Sequence, residues 1–415
     1  MPDIFTANNG ANNVSVFLNT CGASTGDSSA LQFSAPNYAV NEGAGSLTVT
    51  VTRTGGVAGA ASVLYNTAAD AASERSDYIA SLGTLRFAPG ESTKSFKVLP
   101  IDDARAIEGN ESFNLTLSDA AGATLGATSS ATVTIQDNDT AVTSANPIDD
   151  TQFFVRQHYF DFLNREPDPE GLQFWTSEIT GCGSDAQCKE VKRINVSAAF
   201  FLSIEFQETG YLVYRMYKAA YGATPSPNVA GTVPIIRLKE FLPDTQEIGH
   251  DVIVGQGSWQ KLIEDNKNAF ALEFVSRPRF TGAFSLSLTA GQFVAQLNAN
   301  AGGVLADSDK TQLEDVGGGP SAPSADGSKR AQVLRAVAEN PQLRQGEFNR
   351  AFVLMQYFGY LRRNPNDSPD SDFRGWRFWL DKLNEFDGNY IQAEMVKAFL
   401  NSDEYRRRFN SPNGF

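Results

Sequence analysis

The feature that most constrains this 415-residue chain is a change of hydrophobic period at Gln136-Asp137-Asn138-Asp139-Thr140. Before it, Leu47, Val49 and Val51 alternate with threonines, and Phe113, Leu115 and Leu117, then Ala131, Val133 and Ile135, alternate with polar residues. A period of two lines one face of a β-strand. Beyond it, Val155, Tyr159 and Leu163 stand four apart, which places them on one face of a helix. One pattern cannot serve as the other. The chain therefore reads as multidomain, β then α, as its length also suggests.

Residues 31–140 carry short strands cut by Gly, Pro, Asn and Asp turns, at the spacing of an Ig-like antiparallel β-sandwich. If successive strands alternate in direction, one end of the sandwich holds Glu42, then Asp70, Glu74 and Asp77, then Asp102, Asp103 and Glu108, and finally Asp137 and Asp139. The opposite loops, 54–60, 88–92 and 118–127, hold only Glu91 and Asp119. Turn acids can simply be solvated, repelling one another weakly across water. Four acidic loops converging on one end favour a cation instead, since like charges crowded together oppose folding until neutralised. Several carboxylates on flexible loops suit Ca²⁺ rather than a transition metal.

Asn41-Glu42-Gly43, Ser76-Asp77-Tyr78, Phe87-Ala88-Pro89-Gly90-Glu91, Asp102-Asp103, Glu108-Gly109-Asn110-Glu111-Ser112-Phe113 and Asp137-Asn138-Asp139 resemble, in order, the signatures of a Calx-beta domain. The resemblance implies a Ca²⁺ site at one end of the sandwich. Its ligands, carried over, are Glu42, Asp77, Asp102, Asp103, Glu108, Asp137 and Asp139, although the interval from Asp103 to Glu108 is one residue longer than the family's usual.

A polar linker is expected over 141–152, then an all-α helical repeat domain over 153–415. The word Val155, Tyr159, Leu163, Pro167 recurs as Val213, Tyr217, Tyr221, Pro225 and as Val353, Tyr357, Leu361, Pro365. Gly171-Leu172-Gln173-Phe174-Trp175 is echoed by Gly375-Trp376-Arg377-Phe378-Trp379. Ser203-Ile204-Glu205-Phe206 is echoed by Ser402-Asp403-Glu404-Tyr405, with each serine a helix N-cap. The spacing predicts units over 153–280 and 329–415, and a Gly/Ala/Ser-rich irregular insertion or linker over 281–328. The Val213-Tyr217-Tyr221 stripe reads as core packing. Phe154-Val155-Arg156-Gln157-His158-Tyr159, Asn164-Arg165-Glu166-Pro167-Asp168 and Ala198-Ala199-Phe200-Phe201-Leu202-Ser203 resemble a bacterial secreted-protein helical domain of unknown function (the family numbered 4214), which is distantly similar to phycobilisome linker repeats. That resemblance implies a scaffold and carries no activity.

At the N-terminus, residues 1–30 read as a single hairpin, or a remnant that resembles an FG-GAP/VCBS propeller blade through Pro2-Asp3-Ile4 and Asn13-Val14-Ser15-Val16-Phe17-Leu18-Asn19. Such a remnant implies a piece of a longer secreted precursor, since no signal peptide stands at Met1. Cys182 and Cys188 bracket a short loop that a disulfide could close, or are unrelated thiols; Cys21 is left odd.

The net charge of −14 argues against a nucleic-acid backbone as partner, and no apolar run reaches the roughly 18 residues of a membrane span. There are two histidines, His158 and His250, and no HExxH, GxSxG or phosphate-loop motif. The expectation is a non-enzymatic secreted or cell-surface structural or adhesive protein. Ca²⁺ stiffens the sandwich, and the helical repeats mediate assembly or attachment, with other surface proteins or glycans as partners. The alternative is a carbohydrate- or matrix-binding module using Trp175, Trp376 and Trp379 as exposed platforms. A hydrolase sited between helical units would need facing carboxylates or His158 in a deep polar pocket.

Overall fold

The computed structural model describes residues 4–8, 13–17, 29–102, 109–139 and 146–409. Strands β1 (Ile4–Asn8) and β2 (Asn13–Phe17) pair antiparallel as the expected hairpin. The sandwich follows: β3 (Ala30–Phe33), β4 (Asn37–Asn41), β5 (Leu47–Thr54), β6 (Ala61–Ala69), β7 (Tyr78–Ile79), β8 (Leu82–Phe87), β9 (Thr93–Pro100), β10 (Glu111–Ala121), β11 (Thr124–Leu125) and β12 (Ser130–Gln136). Two five-stranded sheets result, ordered β4-β12-β10-β6-β8 and β11-β3-β5-β9-β7.

The sheets are antiparallel except at two places, a refinement of the expected antiparallel sandwich. Strands β12 and β4 run parallel, as do β11 and β3. The cause is Pro36, which lacks an N–H and breaks the first strand between β3 and β4, so that its halves join opposite sheets. Alternation holds elsewhere: Val49 and Val51 of β5, Phe113 and Leu115 of β10, and Ala131, Val133 and Ile135 of β12 all face a core completed by stacked Tyr65–Phe96 and Tyr78–Phe113 pairs.

The helical half comprises α1 (Thr151–His158), α2 (Pro169–Thr180), α3 (Ala186–Leu202), α4 (Ile204–Glu208), α5 (Gly210–Tyr221), α6 (Leu238–Gly249), α7 (Trp259–Ser276), α8 (Pro278–Ala283), α9 (Ala290–Ala301), α10 (Asp307–Gly317), α11 (Gly327–Ala338), α12 (Pro341–Gly359), α13 (Arg374–Glu385), α14 (Met395–Leu400) and α15 (Asp403–Arg407). A wider π-turn over Tyr159–Leu163 continues α1. A two-stranded hairpin, β13 (Thr224–Ser226) with β14 (Val229–Val233), interrupts the helices, which sequence periodicity did not reveal.

Two boundaries are corrected. Residues 281–328 are not irregular: they hold α9 and α10. A Thr289–Gln292 capping box starts α9, and Gly302 and Gly318 in the left-handed region end the two helices. Low-complexity composition hid these caps. Residues 146–152, expected in the linker, belong to the helical half: Asp149 forms a bidentate pair with Arg406 at 2.7 and 2.8 Å, and Asn146 donates to the Arg406 carbonyl at 2.9 Å.

The outer repeats share one internal device. Arg165 clasps Glu205 at 2.6 and 2.7 Å, and Arg363 clasps Glu404 at 2.6 and 2.9 Å. Each Glu stands on a helix capped by Ser203 or Ser402, as the repeated word requires. Gly171 and Gly375 pack against the hydroxyls of Tyr159 and Tyr357, where a Cβ would collide. In the middle unit Val213 and Tyr217 are core residues, and Arg277 takes the clasping role on Asp244 and Glu273.

The two halves share an apolar seam, with Ile79, Leu99 and Ile101 of the sandwich lying in the helical core. Arg86 of edge strand β8 pairs with Glu247 and Glu273, both at 3.0 Å, so helices α6 and α7 flank that edge.

Candidate metal centre

The acid pole is built by the parallel pair. In the β4–β12 register, Gln136 lies opposite Asn41, so both strands release their next residues at the same point. On one side Asn41 caps a short turn by accepting the Gly43 N–H at 3.1 Å, turning Glu42 inward to 4 % exposure. On the other, Asp137 accepts the Asp139 N–H at 2.8 Å and the Gly109 N–H at 3.1 Å, and its own N–H donates to Asn110 at 3.2 Å.

Carboxylate oxygens of Glu42, Asp137 and Asp139 then lie within 4.8 Å of one another, the one such group of potential ligands among the described residues. Asn138 ties the surrounding loops together. Its N–H donates to Glu42 at 3.3 Å, and its side-chain amide donates to Asn41 at 3.1 Å and Asp102 at 3.2 Å. Sequence reasoning passed over Asn138, although its place between Asp137 and Asp139 was the available signal.

Asp139 Oδ2 is buried with no hydrogen-bond partner among the described residues. Burial first, then the charges of Asp137 and Asp102, push the Asp139 carboxyl above its ordinary range. An orphaned anionic oxygen beside two further carboxylates is the donor set of a hard divalent cation, and the residues present fit Ca²⁺.

Of the seven expected ligands, three thus converge and Asp102 stands alongside, linked through Asn138. Among the described residues Asp77 is not in that group: it is buried and accepts the Ser73 N–H at 2.5 Å within its own loop. Asp103 and Glu108 lie outside the described residues.

Other candidate residues take structural places. His158 is sealed in the helical core, donating its Nδ1–H to the Phe154 carbonyl (2.7 Å), which leaves the neutral ring's Nε2 to accept from the Ser197 hydroxyl (2.8 Å), and Ser197 in turn bonds Tyr360. Burial lowers its pKa to about 3, far from that of a general base at neutral pH. Trp376, expected as an exposed platform, is 0 % exposed; its position puts it on the inner face of α13. Trp175 and Trp379 are half-buried, and the exposed rings are Phe174 and Phe378 at 56 % and 58 %, each edge-on to the following Trp. Cys182 and Cys188 are joined by a disulfide. Among the described residues no helix is long and apolar enough to cross a membrane.

Residues 25–139 match the family model "Calx-beta domain", and this part of the chain is a Calx-beta domain. Over 116 residues the chain is 40 % identical to the mouse extracellular matrix organizing protein FRAS1 and 39 % identical to its human counterpart. The match covers 27 % of this chain and 3 % of those proteins. Among solved structures, the apo-form Calx CBD1 domain is 34 % identical, covering 27 % of this chain and 99 % of that one, with a TM-score of 0.26. The calcium binding domain CBD12 of CALX1.1 is also 34 % identical, over 26 % of this chain and 46 % of that one, again with a TM-score of 0.26.

Proposed function

We propose that this protein is a non-enzymatic extracellular structural module in which Ca²⁺ at the acid pole stiffens the sandwich and the helical repeats mediate assembly or attachment. The observation that carries this reading is the convergence of Glu42, Asp137 and Asp139 around the orphaned Asp139 oxygen. Asp102, tied to Asn138, is a proposed further ligand, as are Asp103 and Glu108, which lie outside the described residues. A site of this kind with millimolar-range affinity is filled outside cells. The Cys182–Cys188 disulfide supports an oxidising compartment, and the extracellular matrix role printed for FRAS1 supports the same location. The sealed His158–Ser197 pair supports a structural rather than catalytic reading of the helical half.

The experiment is calorimetric titration of the full chain with Ca²⁺, with melting curves in EDTA and in excess Ca²⁺. Saturable binding and a higher melting temperature in Ca²⁺ are expected. Melting indifferent to both reagents, without binding heat, would refute the calcium reading.

A second reading, glycan or matrix binding, has one observation in its favour: Phe174 and Phe378 are exposed at matching places in two repeats. Glycan-array binding lost in the Phe174→Ala/Phe378→Ala variant, with the fold intact, would support it.

A further inference from the structure

The helical half does more than adjoin the sandwich: it holds the backbone on both flanks of the acid pole. On one flank is Arg408, fully buried and paired with Asp161 at 2.9 and 3.0 Å. Its guanidinium also donates to the Tyr360 carbonyl at 2.8 Å and, across the seam, to the Arg75 carbonyl at 3.0 Å. Two residues on, the Asp77 carbonyl accepts the N–H of Ile101 at 2.9 Å, and Ile101 immediately precedes Asp102. Two hydrogen bonds and the backbone between them therefore connect the last helical segment to Asp102, which stands beside the clustered acids.

On the other flank is Gly45, three residues beyond Glu42 with φ of +84°. It backs directly onto the Arg156–Glu166 ion pair, where a Cβ would overlap both side chains. A β-sandwich that used the acid pole alone would not need either loop to be seated on a second domain.

We propose that Ca²⁺ binding at the acid pole and seating of the helical half are thermodynamically linked, with Arg408 a positioning residue for the site. The proposal rests on the calcium reading above. Three carboxylates repel when the ion is absent, and the Glu42 loop that spreads to relieve that repulsion is the loop that Gly45 seats on the Arg156–Glu166 pair, while Arg408 acts one step further off, through the Arg75–Asp77 backbone and Ile101 on Asp102. An ion that draws the acids together restores the surface on which the helical half sits. Linkage is reciprocal, so loosening the seam weakens the ion by the factor by which the ion tightens the seam.

The test uses the full chain. Hydrogen exchange is followed in 1 mM EDTA and in excess Ca²⁺, alongside Ca²⁺ titration of the wild type, Arg408→Lys and Arg86→Ala (about 1 mM is a conventional chelator level, well above trace metal). Ca²⁺ is expected to slow exchange in α1 and α15 as well as in the acid loops. Arg408→Lys keeps the charge but loses the forked donation, and is expected to weaken Ca²⁺ roughly fivefold or more. Arg86→Ala cuts the seam at β8, away from the pole, and is expected to leave the affinity unchanged. Protection confined to the sandwich loops overturns the linkage while leaving the calcium site standing; equal affinities for the wild type and Arg408→Lys do the same. Absence of any Ca²⁺ binding overturns both readings. Should Arg408→Lys fail to fold, the wild-type exchange pattern decides alone.

Discussion

Gln136 and Asn41 stand opposite each other at the ends of two parallel strands, and Glu42, Asp137 and Asp139 all follow within three residues of that pair. The carboxylates meet because the strands stop together. This relationship makes the pole sensitive to single charges.

Neutralising the pole should separate ion binding from folding. Asp137→Asn/Asp139→Asn removes two of three clustered charges, so the metal-free protein is expected to melt no lower than the wild type. The Ca²⁺-dependent rise should vanish; at a hundredfold excess over Kd it is worth about 2.7 kcal/mol. Melting curves in EDTA and in Ca²⁺ check both halves. Protons and the ion compete for the same carboxylates, and Ca²⁺ affinity should fall on acidification.

At the seam, burial pushes Glu247 up to about 7, against the pull of Arg86 and with help from Glu273 and Asp244. The native state therefore holds this proton more tightly than the unfolded chain. Stability is expected to fall as pH rises from the ordinary carboxylate range through about 7. Glu247→Gln should flatten that slope, read as melting temperature against pH.

The repeated clasps should be costly to open. Arg165→Ala or Arg363→Ala leaves the largely buried Glu205 or Glu404 without its partner, which costs up to about 3 kcal/mol, the lower end for a buried pair because one member of each is partly exposed. Denaturant titration measures it. Removing both members of one clasp is expected to cost less than the sum of the single losses.

Cys182→Ser/Cys188→Ser opens a loop closed across a sequence separation of 6. Loop-closure entropy for so short a loop sets the loss at about 2 kcal/mol. Thermal melting of the variant beside the reduced wild type checks it, and the two are expected to agree.

Much of this was written in the residues. Period-two alternation in β5, β10 and β12 and period-four spacing at Val155, Tyr159 and Leu163 set the two layers of architecture, because side-chain direction follows local backbone geometry. Strand parity put Glu42, Asp137 and Asp139 at one end, and the Ser203 and Ser402 caps were legible from the repeat. The helices α9 and α10 were hidden by the Gly-, Ala- and Ser-rich stretches around them, although Phe293, Val294 and Leu297 of α9 stand at helical spacing.

What tertiary structure alone decided was which distant groups touch. Asp77 carries the same acidic side chain as Asp137, yet among the described residues it binds the Ser73 N–H of its own loop and is not in the group. Trp376 and Trp379 share a helix, yet only the packing of α13 against α12 buries the first completely. The meeting of Arg408 with Arg75 spans a sequence separation of 333 and leaves no trace in local pattern. Local propensity fixes where a side chain points along its own element; burial, pairing and the fate of a charge depend on what the rest of the chain brings opposite it.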